Sequence, residues 1–475
     1  MVTEDFDLVV VGCGGAGLSA AVSYIETAAS VGHQARVVVL ERAPESERGG
    51  STRWTTAGLR VDDSYTLDPR WVGRMQEVSR QLADLEYCRT FEKEVPATCR
   101  FMVDHGVELL FQPSPFPGGH SQVGRPNGGG HAIVDALAEH VEQAPGGEIR
   151  YRTEAVRLSL SDEGRVDGVI VRNPAGLLET LHARAVVLAC GGFEGNYEML
   201  TQYVGRNAVD LKVLAPGTQY NQGDGIRMAT EIGAATSGQF DGIHAELIDT
   251  RTDRADAVLY GHTYTIAVNG AGKRFRDEGE DSFTETFELI AYDVWSEQNQ
   301  TAFLITDNAV MSQDILTGLF DTDVPPAKAD TIASLATQLG LDPAELEATV
   351  AEYNQACAGN ADIPFEPFAY DGKSTTGIEP PKSNWALPIS HPPYYGYPVA
   401  AAICFTYGGL KTDTSARVLS KGSVPIPGLY AAGELVGLFY HEYPSATSVL
   451  KAVTFGRLAG AHAAVEHAAP VHDRA

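Results

Sequence analysis

Cysteine is sparse and scattered. The chain has six, at Cys13, Cys88, Cys99, Cys190, Cys357 and Cys404, with no CxxC pair and no metal-ligand spacing. That argues against a disulfide framework or an iron–sulfur centre and fits thiols kept reduced. Long apolar runs are missing too: none reaches the roughly 20 residues that a membrane-spanning helix needs. The opening MVTEDFDLVVVG carries no basic stretch and turns directly into a strand pattern. It does not read as a signal peptide, and the expected location is the cytoplasm. Positive charge is the third shortage. Against 62 Asp and Glu stand 35 Lys and Arg, a formal net charge of −27. Nucleic acid and anionic membrane are thereby disfavoured as partners, although a local basic pocket for an anionic substrate stays open.

Hydrophobic residues make up 44% of the chain and charged residues 20%, an ordinary globular balance. A length of 475 residues exceeds the usual limit for one core, so two domains are expected. Glycine is abundant, at 49 residues, which points to tight turns and close backbone approaches of the kind found in nucleotide-binding α/β proteins.

The first chemical signal is DFDLVVVGCGGAGLSAAVSYIE. Leu8–Val11 reads as a buried strand, and Gly12-x-Gly14-x-x-Gly17 turns it into a helix. The glycines permit the turn, the approach of a pyrophosphate and close helix–strand packing, while the helix N-terminus offers free N–H groups to phosphate. A second strand, ARVVVLER, ends in Glu41, placed to accept hydrogen bonds from an adenosine ribose. Gly49, Gly50, Ser51 and Thr52 follow and are positioned to wrap the pyrophosphate. Two further strands end in glycine, Ala185–Ala189 before Gly191 and Gly192, and Leu429–Ala431 before Gly433 and Glu434. Glycine breaks after several strands of one sheet suit an extended cofactor crossing its carboxyl edge.

These motifs, with NQGDGIRMA, VNGAGKRFRDEGED and IPGLYAAGEL…TFGRLAG, fall in an order that resembles the fumarate reductase and succinate dehydrogenase flavoprotein superfamily. The resemblance covers nearly the whole chain. It implies an α/β fold in which a Rossmann-like FAD-binding domain is discontinuous, residues 1–240 and 375–475, with an inserted α+β capping domain over 241–374. TIASLATQLGLDPAELEATVAEYNQACAG supports the insertion independently, with two amphipathic helical patterns, the second starting at Asp342-Pro343. The cofactor contacts implied are Gly12, Gly14, Gly15, Ala16, Gly17, Glu41, Arg42, Gly49, Gly50, Ser51, Thr52, Ala155, Val156, Gly191, Gly192, Asn196, Gly223, Asp224, Gly433, Glu434, Ser448, Val449 and Leu450.

Two branches look similar, the tricarballylate dehydrogenases and the 3-ketosteroid and cyclic-ketone desaturases, through PPYY…GGLKTD…YAAGE…YP. Departures from the family pattern are specific. Ser51 stands where a histidine would join FAD covalently, so noncovalent FAD is expected. Tyr443 replaces a carboxylate-binding arginine, Phe405 replaces a histidine, and Met311 lies near the place of the proton-donating arginine. A fumarate reductase reading is weakened by all three.

Small residues at 445–448 let the backbone approach a flavin, and the helix starting near Thr447–Val449 aims its N-terminus at the ring edge where reduction places negative charge. Tyr443, held by Pro444, has a phenol able to donate to a substrate carbonyl. The expected reaction is desaturation next to a ketone or carboxylate of a small molecule: a base removes the α-proton and the β-hydrogen leaves as hydride to flavin N5. A cyclic keto acid or ketone is the expected substrate, because few arginines converge. Glu278, Tyr264, Tyr395, Tyr407 and His244 are further catalytic candidates, and Arg125, His244, His262 and Tyr443 are the expected substrate contacts. No metal is expected. The electron acceptor is left open between dioxygen, a diffusible acceptor and a redox protein.

Overall fold

The computed structural model describes residues 3–118 and 122–468. Its first sheet is built on the strand Thr3–Val11, which pairs in parallel with Val37–Leu40 on one side and Leu178–Leu188 on the other. The sheet extends through Gly147–Arg150 beside Val37–Leu40 and through Pro425–Ala431 beside Leu178–Leu188. Over Leu8–Val11, Val37–Leu40 and Ala185–Leu188 the central strands are continuous Val, Leu and Ala runs because both faces are covered: Leu8, Val9, Val10, Val37, Val38, Ala185 and Val186 are fully buried. The last strand of the set arrives from the far end of the sequence. Residues near 10 and near 430 therefore end at one sheet edge.

Two helices cross against one another beside this sheet, Gly15–Ser30 and Ser448–Ala468. Their seam is made of small residues. A Cβ on Gly456 would run into the carbonyl oxygen of Ala16, and one on Gly460 into that of Ala20.

The second sheet has the 13-residue strand Tyr394–Thr406 as its spine. Ile243–Asp249 pairs antiparallel with its C-terminal half and Ala302–Asp307 with its N-terminal half, and Ile266–Asn269 continues beyond Ala302–Asp307. The spine lies after residue 374 in the chain, so strands on both sides of that position share one sheet. Helices Ile332–Leu339 and Pro343–Ala356 pack on a separate apolar cluster with Ile266, Ile305 and Ile389. Asp342 starts the second of them, its carboxylate accepting from Ala344 N at 2.8 Å and Glu345 N at 3.2 Å. Among the described residues, no helix is long and apolar enough to cross a membrane.

Candidate active site

A cavity of about 630 Å³ runs along the carboxyl edge of the parallel sheet and under the second sheet. Its first half is walled by backbone. Gly12 sits at φ 110°, a conformation open to glycine, and a Cβ there would strike the carbonyl of Ala189. The helix Gly15–Ser30 starts from Gly14 with no side-chain cap and no acidic residue in its first turn. Its N-terminus is thus a ready seat for an anion. Glu41 ends its strand buried, with Oε1 accepting from Ala43 N at 2.8 Å and Oε2 from Cys13 N at 3.3 Å. Burial pushes its carboxyl above the ordinary glutamate value despite these bonds. The short helix Gly50–Trp54 folds over the glycine turn, Thr52 Oγ1 accepting from Gly15 N at 3.2 Å. Trp54 Nε1 is buried on this wall without a hydrogen-bond acceptor.

The second half is aromatic. Phe116, Tyr260, Phe283, Phe287, Phe405 and Tyr443 all reach the wall. Phe405 meets Tyr443 edge-on at 5.0 Å between ring centres, and Phe116 meets Phe283 likewise at 4.8 Å. Tyr443 is turned toward the start of the last helix. Its phenol oxygen accepts from Thr447 N and from Ser448 N, both at 2.8 Å. Burial raises the phenol above its ordinary value although these two N–H groups oppose the shift, so it keeps its proton at neutral pH. The side chains of Thr447 and Ser448 stand beside the same phenol oxygen.

Behind Tyr443 lies a buried chain of ionisable groups. His244 Nδ1 bonds Glu288 Oε2, and its Nε2 stands 3.4 Å from Glu246 Oε1. Tyr407 donates to Glu288 Oε1 at 2.6 Å, and Tyr260 donates to Glu246 Oε1 at 3.1 Å. Burial works against charge on His244, but the bonds and charges of Glu246 and Glu288 outweigh it and raise the imidazole to about 9. His244 is therefore an imidazolium at neutral pH, 4.9 Å between ring centres from Tyr443.

Residues 7–449 match the family described as FAD binding domain. The chain belongs to the FAD binding domain family. It is 30% identical to the urocanate reductase of Eggerthella lenta over 97% of this chain and 75% of that protein. Among solved structures it is similar to a flavocytochrome c3 fumarate reductase, with a TM-score of 0.78, 27% identity, and 98% of this chain and 79% of that one covered. It is also similar to the 3-ketosteroid-delta4-(5alpha)-dehydrogenase of Rhodococcus jostii RHA1, with a TM-score of 0.71, 25% identity and 97% of both chains covered. The protein is an FAD-dependent oxidoreductase of this family. The uncapped helix start, the backbone wall, the buried Glu41 and the unpartnered Trp54 Nε1 all fit FAD. Glu41, Gly14, Gly15, Ser448 and Val449 all line this cavity.

Most residues expected to hold FAD do line the cavity: Gly12, Gly14, Gly15, Ala16, Glu41, Arg42, Gly49, Gly50, Ser51, Thr52, Ala155, Gly191, Asp224, Gly433, Glu434, Ser448 and Val449. Six lie one layer back. Gly17 packs on Gly12, and Gly192 leaves room for Glu434 and Thr406. Asn196 caps the helix Tyr197–Tyr203 and Gly223 begins the helix Asp224–Glu231. Val156 gives its carbonyl to Arg227, and Leu450 is buried away from the cavity. Arg125, His244 and Tyr443 also reach the wall, as expected for substrate contacts.

Five candidates stand elsewhere. Glu278 is locked by Arg274 at 2.6 Å and accepts from Ala267 N. Tyr264 donates to the carbonyl of Pro367, among Phe365 and Trp385. Tyr395 is on the spine strand beside Asn308 and under Lys328. Tyr407 supports Glu288 from behind. His262 bonds Thr286, and burial pushes it down to about 3, so it stays neutral. None of these five is on the cavity wall. Conversely, sequence reading passed over Glu246, Tyr260 and Glu288. Glu246 was findable: two positions after His244 on a strand, it shares that residue's face. Tyr260 and Glu288 come from other elements and carry no local signal.

Lys451, in the first turn of the last helix, is 3% exposed and reaches the cavity wall. Its Nζ donates to Val436 O at 2.9 Å and lies 5.1 Å from the Phe439 ring centre. Burial pushes the amine down to about 8, with Glu434 opposing. The unfolded chain holds this proton at pH values where the folded protein releases it. The burial therefore costs stability most fully below about pH 8, ever less as pH climbs from there, and nothing once pH is above the ordinary lysine value. Lys451→Met is expected to raise the thermal midpoint at pH 7, by at most about 3 kcal/mol in stability, with the gain shrinking toward pH 11. A variant that melts lower than wild type at pH 7 would contradict this account.

Proposed function

We propose that this flavoenzyme is a dehydrogenase that introduces a C=C bond beside the carbonyl of a small cyclic ketone or keto acid. The observation that carries the reading is Tyr443, a neutral phenol on the cavity wall whose oxygen is held by two helix N–H groups; in this reading its proton is given to a carbonyl oxygen. As negative charge grows on that oxygen, the phenol donates more strongly, and the helix N-terminus behind it supports the charge passed back. The aromatic wall suits a ring and excludes water around it. Arginine is scarce there: Arg42 is held by Asp224 and Glu154 in the nucleotide half, which leaves Arg125 for at most one substrate carboxylate. FAD, when bound, accepts the electron pair and hydrogen lost from the β-carbon. Residues 241–374 act in this reading as a cap over the site. Similarity to a ketosteroid dehydrogenase supports the direction and the carbonyl, and Ser51 on the wrap supports noncovalent FAD. Electrons then leave to dioxygen, a diffusible acceptor or a redox protein.

Anaerobic titration of the FAD-loaded protein with cyclic ketones, keto acids and polycarboxylates tests the reading. A ketone or keto acid of the panel is expected to bleach the flavin band near 450 nm. If none bleaches it, and instead fumarate or an aryl acrylate reoxidises the reduced flavin, the protein is an enoate reductase and the dehydrogenase reading falls.

A further inference from the structure

The proposed reaction needs a base, and the residues carried over from the family do not supply one: Glu278 is bound to Arg274 outside the cavity. We propose that Glu246 is the base that takes the α-proton, a role that rests on the carbonyl reading above. Glu246 is on the cavity wall, with its side chain 14% exposed, on the same strand face as His244. Its contacts with Tyr260 and His244 both fall on Oε1, and the Cys404 thiol stands beside the carboxylate. The carboxylate is thus fixed in position while Oε2 is the atom assigned to the substrate. The other acids of this half, Asp256 and Asp321, are about half exposed, and both pair with Arg254. They sit where water already screens them.

His244 lies between Glu246 and Glu288, with Nε2 toward the first and Nδ1 on the second, so the strand and the helix Phe283–Ser296 together hold Glu246 in place. In the step itself the α-carbon–hydrogen bond breaks and an O–H bond forms on Glu246. The electron pair of the broken bond moves into the carbon–carbon–oxygen unit as an enolate, whose oxygen keeps the hydrogen bond from Tyr443. No electron leaves the substrate in this step. His244, Glu288, Tyr407 and Tyr260 are positioning residues.

Enolisation can be read apart from oxidation. FAD-loaded protein, its flavin reduced with dithionite under argon, is incubated in D2O with cyclohexanone or 3-oxocyclohexane-1-carboxylate, and α-deuterium is followed by proton NMR. Wild type is expected to exchange faster than buffer. Glu246→Gln is expected to lose about a hundredfold or more of that rate, with Glu246→Asp intermediate and flavin content unchanged. Added acetate is expected to restore part of the exchange in Glu246→Ala, which a merely structural role would not allow. Exchange by Glu246→Gln within about threefold of wild type overturns the assignment. So does a wild-type protein whose flavin is bleached by a ketone that it does not exchange. In both cases the dehydrogenase reading survives. A protein that neither exchanges nor is bleached by any ketone overturns both.

Discussion

Tyr443→Phe is expected to lower the rate of flavin reduction by about a hundredfold to a thousandfold with FAD still bound. The size follows from what one donor to a developing oxyanion contributes in a water-poor site. Phenylalanine keeps the ring, so the edge-on contacts with Phe405 and Phe439, at 5.0 Å each, have no reason to change. What is lost is the oxygen. Two consequences then separate. The carbonyl of the substrate loses its donor, which slows chemistry. Thr447 N and Ser448 N also lose their acceptor, which costs about 1–3 kcal/mol of folding stability if water does not replace it. Stability is read from the thermal midpoint and chemistry from stopped-flow bleaching with whichever ketone reduces wild type. A variant that melts lower yet reduces its flavin at nearly the wild-type rate would make Tyr443 a helix cap and nothing more.

The two halves of the cavity differ in how far the sequence alone discloses them. In the nucleotide half the requirements are on the backbone, and only glycine meets several of them. Gly12 needs a positive φ and no Cβ, and Gly17 needs no Cβ against Gly12. Such demands leave a visible motif at fixed spacing, and strand ends such as Glu41 follow from it. The apolar strands were legible for a related reason. A parallel sheet covered on both faces must be written as unbroken Val, Leu and Ala.

In the second half the requirements fall on side chains brought together from four separate elements. Glu288 is on the helix Phe283–Ser296, His244 and Glu246 on Ile243–Asp249, Tyr407 just past the spine strand and Tyr260 on a loop. Nothing local marks them as partners. Phenols named from sequence position alone divided accordingly: Tyr443 reached the cavity, Tyr407 became a second-layer support, and Tyr264 and Tyr395 went to the core and the spine. Glu278 shows the same limit from the other side. Named for a position in the family pattern, it closes a buried ion pair with Arg274 on the same stretch, off the cavity wall.

Gly456→Val is expected to have the largest effect of any single change, removing both bound FAD and at least about 3 kcal/mol of stability. The reason lies in the seam between the first and last helices. Gly456 and Gly460 are four apart and lie on one face, and an added carbon at either meets backbone, the carbonyls of Ala16 and Ala20. Helix backbone cannot step aside as a flexible side chain can, so the helices must separate. Their N-termini both line the cavity assigned to FAD, Gly14–Gly15 on one helix and Ser448–Val449 on the other. Parting the seam therefore misplaces both sets of N–H groups at once, which links a packing defect to the loss of a ligand more than 400 residues away in sequence from one of its seats. The control is Gly73→Ala, an exposed position in the helix Trp71–Val78 where an added Cβ meets nothing within 4 Å. It is expected to be neutral or to stabilise by about 0.5–1 kcal/mol. Flavin-to-protein absorbance ratio and thermal midpoint read both variants. A Gly456→Val protein that purified with a full complement of FAD would show that the seam tolerates separation and that the two helix ends are positioned by the sheet alone.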